Sequence, residues 1–232
     1  MNIRKLVNFL ISSSFLALCA IPAQATPIST TLCLTTLCLY LDAGGGNTVL
    51  VQDNGVGDTD LAGGSIKWAG TVGAWSTIIE FTHGSSNSPG TGDLASLDLF
   101  SIMAQTRRHG GDLQIKLVEN GFQAPIGPNL AATSTVNGFT FGTASFESKL
   151  DSAIIGSLGA YSHGAFSGTT GTNVGTTGPF SLTQIAMIHH DSYGATEFKS
   201  NISITNVAEP TTLGLLGLGL IGLAGARRRR NG

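Results

Sequence analysis

Charged side chains make up only 11% of this chain of 232 residues, where an ordinary soluble domain has about a quarter. Ser, Thr, Asn and Gly must therefore cover much of the surface, a common look for secreted β proteins. Basic charge is scarcer still in the middle. Arg4, Lys5 and Arg227 to Arg230 take half of the 12 cations to the two ends, leaving six against 14 acids, a net of about −8 between them. That balance excludes nucleic acid as a partner and gives no hold on anionic lipid, because both need basic patches to neutralise phosphate. Cysteine is rare, with three in all, too few for a four-thiolate zinc site. No convincing run of period 3.6 crosses residues 26–207, which argues against a helical domain. The motifs G-x-S-x-G, H-E-x-x-H, S-x-x-K with its partners and the P-loop are all missing, so no nucleophile, zinc-protease or phosphate-cradle signature points to an enzyme.

What is present begins with an address. Residues 1–25 carry Arg4 and Lys5, then an apolar run from Leu6 to Ile21, then Ala23-Gln24-Ala25. These are the three parts of a secretory signal peptide with cleavage after Ala25. The apolar run is short of the roughly 20 residues that a membrane span prefers. Cys19 follows Leu18 rather than the small residue of a lipoprotein box. The exported chain then starts at Thr26 in an oxidising compartment. Its two cysteines, Cys33 and Cys38, lie in a tandem repeat, Thr30-Thr31-Leu32-Cys33-Leu34 and Thr35-Thr36-Leu37-Cys38-Leu39. A spacing of five places them on opposite faces of a straight strand, so a disulfide between them requires a turn. A hairpin at Thr35-Thr36 would set Cys33 opposite Cys38, although Thr-Thr is a poor primed-turn sequence; two buried thiols or an intermolecular bridge are the alternatives.

From Tyr40 onward one theme repeats, alternating apolar and polar residues punctuated by Gly, Asn, Asp or Pro. Leu113, Ile115 and Leu117 alternate with Gln114 and Lys116. Phe198, Ile202 and Ile204 lie opposite Glu197, Lys199, Asn201 and Ser203. Period 2 of this kind means half-buried strands, and further strands are expected at 32–41, 48–52, 65–69, 75–82, 94–106, 135–146 and 181–189. Gly164 to Pro179, rich in Gly, Thr and Ser, breaks the alternation and reads as a loop or as a polar strand at a sheet edge. The expected fold is all-β: a single antiparallel β-sandwich, jelly-roll or Ig-like, over residues 26–207.

Several clusters could carry chemistry. Asp53-Asn54-Gly55-Val56-Gly57-Asp58-Thr59-Asp60 is the densest group of oxygen donors, and Asp53, Asp58 and Asp60 are candidate calcium ligands. The run lacks EF-hand spacing, and the competing reading is an acidic turn. His189 and His190 end a strand and should point to opposite faces, so they cannot readily chelate one ion together. Glu80, Glu119 and Glu147 single out no glycosidase pair and read as solvated positions. Trp68 and Trp75 either stack on sugar or, continuing the apolar stripes of Ile66 and of Ile79 and Phe81, fill the core.

The last two dozen residues hold Glu209-Pro210, an apolar run from Leu213 to Ala226 and the cluster Arg227, Arg228, Arg229 and Arg230. As a helix, residues 211–226 would reach about 24 Å, slightly less than a hydrocarbon core of about 30 Å, and the arginines would stay cytoplasmic. This three-part tail resembles a PEP-CTERM sorting signal, with Ala208-Glu209-Pro210 where the usual triplet has two prolines. The resemblance implies a Gram-negative source, an exosortase-type processing enzyme as partner and transient anchoring in the inner membrane. Residues 208–232 are then a sorting signal with one transmembrane helix, and the protein passes through the periplasm to the cell surface or medium. The middle also resembles an uncharacterised extracellular β domain of PEP-CTERM proteins, in Asp53-Asn54-Gly55 with Gly57-Asp58, in Trp75, in Gly111-Asp112-Leu113 through Asn120-Gly121-Phe122, and in Gly178-Pro179-Phe180-Ser181-Leu182. It brings no catalytic residues. The expected role is structural or adhesive, in biofilm matrix with exopolysaccharide as partner. A carbohydrate-binding or calcium-binding module is the alternative and a secreted hydrolase the second, with no cofactor beyond that calcium.

Overall fold

The computed structural model describes residues 37–80, 94–106 and 109–207, together with Leu218 and Leu220. The signal peptide with Ala23 and Ala25, Cys33, Glu209, Pro210 and Arg227 to Arg230 lie outside the described residues. Ten strands follow one another: β1 (Cys38–Asp42), β2 (Thr48–Gln52), β3 (Lys67–Val72), β4 (Trp75–Glu80), β5 (Leu94–Thr106), β6 (Gly111–Phe122), β7 (Gly127–Leu150), β8 (Ala153–Thr176), β9 (Phe180–His190) and β10 (Gly194–Asn206). All pair antiparallel, in the order β2-β1-β6-β9-β7-β10-β5-β4-β3, with β8 beside β7. The all-β, antiparallel expectation holds.

The two layers of the sandwich are one sheet, because β7 belongs to both. Residues Leu130 to Thr140 of β7 pair with β10, and Thr143 to Leu150 pair with β9. Only Phe141 and Gly142 separate the two ladders. The first layer is therefore β2, β1, β6, β9 and the end of β7; the second is the start of β7, then β10, β5, β4 and β3. β8 follows β7 through the bend and flanks both layers.

Alternation decides which side chains enter the space between them. Leu39 and Leu41 of β1, Leu113, Ile115 and Leu117 of β6, Leu97, Leu99 and Ile102 of β5, and Ile202 and Ile204 of β10 are all fully buried in one core. Most polar groups enclosed there are paired, as burial requires, Glu119 Oε2 being the one buried polar side-chain atom without a hydrogen bond among the described residues. Gln184 of β9 donates from Nε2 to the Leu97 carbonyl (2.8 Å) and accepts from Ser200 Oγ (2.9 Å), tying the layers together at mid-height. Ser134 and Ser148, from the two halves of β7, meet at 2.8 Å.

Of the two readings of Gly164 to Pro179, the edge strand holds for Gly164 to Thr176, the second half of β8, while its first half from Ala153 escaped the sequence reading. Two other expectations change. Glu119 is not solvated but buried, facing inward in the same alternation as Leu117. A hairpin is not the geometry that β1 allows at Cys38, which pairs with Gln52 on one side and Val118 on the other. Both ladder positions beside it are filled. Cys38 is nevertheless disulfide-bonded, with its partner outside the described residues.

Candidate functional site

The two tryptophans are core residues. Trp75 is 1% exposed; its Nε1 donates to the Asp112 carbonyl of β6 at 3.1 Å, and its ring lies 4.8 Å from that of His190. Trp68 is buried beside Val51 and Ile66 in the same core. Neither offers a face to a sugar.

His189 and His190 do point apart, and their surroundings give them opposite acid–base behaviour. His190 is 2% exposed, with Nε2 2.8 Å from Thr196 Oγ1 and Nδ1 3.4 Å from Thr106 Oγ1. Burial pushes its pKa down, so it plugs the end of the sandwich as a neutral ring. His189 stands on the outer surface between Asp191 (3.0 Å) and Asp112 (2.8 Å), and hydrogen bonds to those carboxylates raise its pKa. The result is an exposed cluster of one imidazole between two carboxylates, which favours the protonated ring. Beside it, Glu147 pairs with Lys149 at 2.8 Å on the same outer face of the first layer. The side chain of Glu80 lies outside the described residues.

In the acidic run the carboxylates hold their own loop. Asp58 accepts from the backbone N–H groups of Asn54, Asp60 and Lys67, each at 2.9 Å. Asp53 accepts from Gly64 N at 2.8 Å and Asn54 Nδ2 at 3.0 Å. Asp60 accepts from Ala62 N at 3.0 Å and Ser65 Oγ at 2.7 Å. All six carboxylate oxygens are engaged, and among the described residues no three or more His, Cys, Asp or Glu side chains are grouped to hold a metal ion. Asp58→Ala frees three N–H groups at once and should lower stability by about 1–3 kcal/mol, read by thermal melting. Repeating the melt in saturating calcium separates this role from a metal role, because a ligand of the native state must raise the melting temperature.

A different surface has the form of a binding face, the outside of the second layer. Along β7 the outward residues are Thr133, Thr135, Asn137, Phe139 and Phe141; their inward neighbours Ser134, Val136 and Thr140 are buried. Register aligns Phe139 with Glu197 and Met103 on one side and Ala165 on the other. Asn137 aligns with Lys199 and Ser167, and Thr135 with Asn201 and Thr169. Asn201 Nδ2 donates to Asp98 Oδ1, whose carboxyl is pushed above its ordinary pKa by partial burial. Phe139 and Phe141 are 41% and 58% exposed, with ring centroids 5.0 Å apart in a T. Two adjoining depressions of about 360 and 150 Å³ share Asn137 and Lys199 in their walls; the larger is edged by Phe139 and Glu197, the smaller by Thr135 and Asn201.

Sequence reasoning looked for sugar-stacking aromatics among the tryptophans and missed these phenylalanines. The signal was present in parity. Phe139 and Phe141 share the odd register of Thr135 and Asn137, so in an amphipathic strand they belong to the wet face.

Comparison with known proteins bears on the C-terminal tail more than on this face. No curated protein matches the sequence. Among solved structures, the chain is similar to TmCBM61 in complex with β-1,4-galactotriose (7% identity, 59% of this chain and 92% of that one, TM-score 0.33). It is also similar to the C-terminal CBM6 of the laminarinase LamC from Zobellia galactanivorans (13% identity, 56% and 100%, TM-score 0.27), and to a PA14 sugar-binding domain from an RTX adhesin (10% identity, 72% and 89%, TM-score 0.32). These likenesses are too loose to carry an argument about ligand or activity. The tail is more specific. Residues 206–230 match the PEP-CTERM protein-sorting motif. Leu218 and Leu220 in it are helical, and among the described residues no helix is long and apolar enough to cross a membrane. The chain thus carries a PEP-CTERM sorting motif and is a secreted, exosortase-sorted protein with transient C-terminal anchoring.

Proposed function

We propose that this protein is an adhesive component of the cell surface or exopolysaccharide matrix, and that it holds neutral polysaccharide on the outer face of its second layer. In this reading residues 1–25 direct export and are cleaved after Ala25, and residues 26–207 are the working domain. Residues 208–232 hold it in the inner membrane until an exosortase-type enzyme cuts near Glu209-Pro210, with Arg227 to Arg230 on the cytoplasmic side. Cys33 bridges Cys38.

The observation that carries the reading is the Phe139–Phe141 pair, left exposed beside Glu197 and next along β7 to the uncharged hydrogen-bonding groups of Asn137 and Thr135. Large aromatics exposed together mark contact surfaces, and the negative face of a ring suits the weakly positive C–H face of a pyranose. Asn137, Thr135, Ser167 and Thr169 supply donors and acceptors to hydroxyls without charge. Glu197 and Lys199 offset each other on the same strand, and Asp98 adds acid, so the face gives no net attraction to an anionic chain.

The test is affinity electrophoresis of the exported protein in gels containing neutral polysaccharides, including the matrix polymer of the producing cells. The wild type is expected to be retarded by at least one. Phe139→Ala with Phe141→Ala is expected to weaken that by about tenfold or more, equivalent to about 1.4 kcal/mol, with an unchanged thermal melt. Free migration of the wild type throughout the panel, or full binding by the double variant, would overturn the proposal.

A further inference from the structure

The sheet has three described borders, and they are not guarded alike. β2 has five residues and β3 has six, with Lys67 at its start; short edges and lysine are ordinary protection against stray pairing. β8 is 24 residues long and, among the described strands, pairs only with β7. Its sequence from Ala153 to Thr176 holds no Lys, Arg, Asp, Glu or Pro.

The two halves of β8 differ. From Ala153 to Gly164 the ladder with β7 is broken by three register shifts, and Gly159, His163 and Gly164 have positive φ. Bulges and turns of this kind twist an edge out of reach. From Gly164 to Val174 the pairing with Leu130 to Thr140 runs without a shift. There the far edge presents backbone N–H and C=O groups at regular spacing, flanked by Ser167, Gly168, Thr169, Thr170, Gly171 and Thr172. From Ala165 to Val174 charge, Pro, bulge and positive φ are all missing, and the one side-chain contact on a backbone group is the Tyr161 hydroxyl, 3.4 Å from the Ser167 carbonyl.

We infer that the edge Ala165–Val174 of β8 is an association surface for a second copy of this chain, the two β8 strands pairing antiparallel about a two-fold axis. Self-pairing suits this edge because it is uncharged and small: two copies meet without like charges opposed, and with glycine or short hydroxyl side chains across the seam. A two-fold contact of this type is closed, giving a dimer rather than a fibre. It extends the second layer across the seam, joining Thr135, Asn137, Ser167 and Thr169 of both copies into one outer face. The inference stands whether or not that face binds polysaccharide; if it does, pairing makes the protein bivalent and raises avidity without any new sugar contact.

The experiment uses the exported protein recovered from the medium. Sedimentation equilibrium is expected to show a concentration-dependent dimer. Hydrogen exchange of the amides in 165–174 is expected to slow as concentration rises. Ser167→Lys with Thr169→Lys, both exposed on the outer face, opposes like charges near the two-fold and is expected to shift the equilibrium to monomer with β7 amide protection retained. Ser162→Lys, in the bulged half, is expected to leave the dimer intact. A wild type monomeric at about 100 μM would overturn the inference. So would protection of 165–174 independent of concentration, which would mean that the chain covers this edge itself. A dimer unaffected by the double lysine variant would place association elsewhere. Should that variant unfold, the concentration dependence of wild-type exchange decides the matter alone.

Discussion

Trp75→Ala is expected to lower the free energy of unfolding by about 3–5 kcal/mol, the range for deleting a fully buried large aromatic. The loss has two parts. The ring is 1% exposed and packs 4.8 Å from His190, so its removal opens a cavity beside the imidazole that closes this end of the sandwich. The indole N–H also joins β4 of the second layer to the Asp112 carbonyl of β6 in the first. Trp75→Phe keeps most of the apolar contact but removes that donor, and should cost about 1–2 kcal/mol. Urea unfolding of the three proteins reads the difference in midpoint. Against a total stability of about 5–15 kcal/mol, the alanine variant loses a large fraction of its margin. A cost under about 1 kcal/mol for Trp75→Ala would show that the ring is not part of the core.

Gly142→Ala is expected to be comparably severe, at about 3 kcal/mol or more, although it adds a single methyl group. A Cβ at residue 142 would lie 1.9 Å from the His189 carbonyl oxygen and 2.4 Å from His190 Cδ2. The first of these is backbone, in the strand that β7 is about to join, and cannot rotate away. Relief requires separating β7 from β9 where β7 changes layers, so strain and lost ladder bonds add to ordinary overpacking costs. Gly63→Ala supplies the control, because a Cβ there meets nothing within 4 Å and the backbone is not left-handed; it should change stability by less than about 0.5 kcal/mol. Equal melting temperatures for the two variants would remove Gly142 from the role of the bend.

Much of the strand inventory was legible from residue alternation. Thr48 to Gln52 and Leu94 to Thr106 run between the expected ends, and the period-2 stripes at Leu113 and Phe198 lie in β6 and β10 as amphipathic strands should. β8 was legible only in part: Gly164 to Pro179 read as a loop or a polar edge strand and its first half did not read at all, because a strand with one hydrogen-bonded neighbour among the described strands, whose residues from Gly164 to Asn173 include just one large apolar side chain, carries almost no hydrophobic alternation. Its conformation is imposed by β7. The mirror case is Glu119, assigned to water on its charge, which alternation and packing against the core side carry inward.

The candidate face was half visible. Parity alone puts Phe139 and Phe141 on the wet side with Asn137, but parity cannot say what lies across from them. Lys199 and Glu197 come from a strand some 60 residues later in the chain, and Ser167 and Thr169 from a stretch that read equally as loop or polar edge strand and named no partner. The acidic run shows the opposite limit. Asp53, Asp58 and Asp60 are of a type that suits calcium and turns alike, and composition could not foresee that their oxygens accept from backbone, amide and hydroxyl groups between Asn54 and Lys67.

The sequence by itself determined the compartment, the class of fold and the tail's role, because sorting signals are contiguous and the period of a strand is local. The tertiary structure alone decided that the tryptophans are core, that His189 and His190 differ in charge behaviour, and that a polar, uncharged edge, unpaired among the described strands, lies beside an exposed aromatic pair. Those properties depend on which strands lie side by side and at what register, and pairing between residues far apart in the chain leaves no local trace.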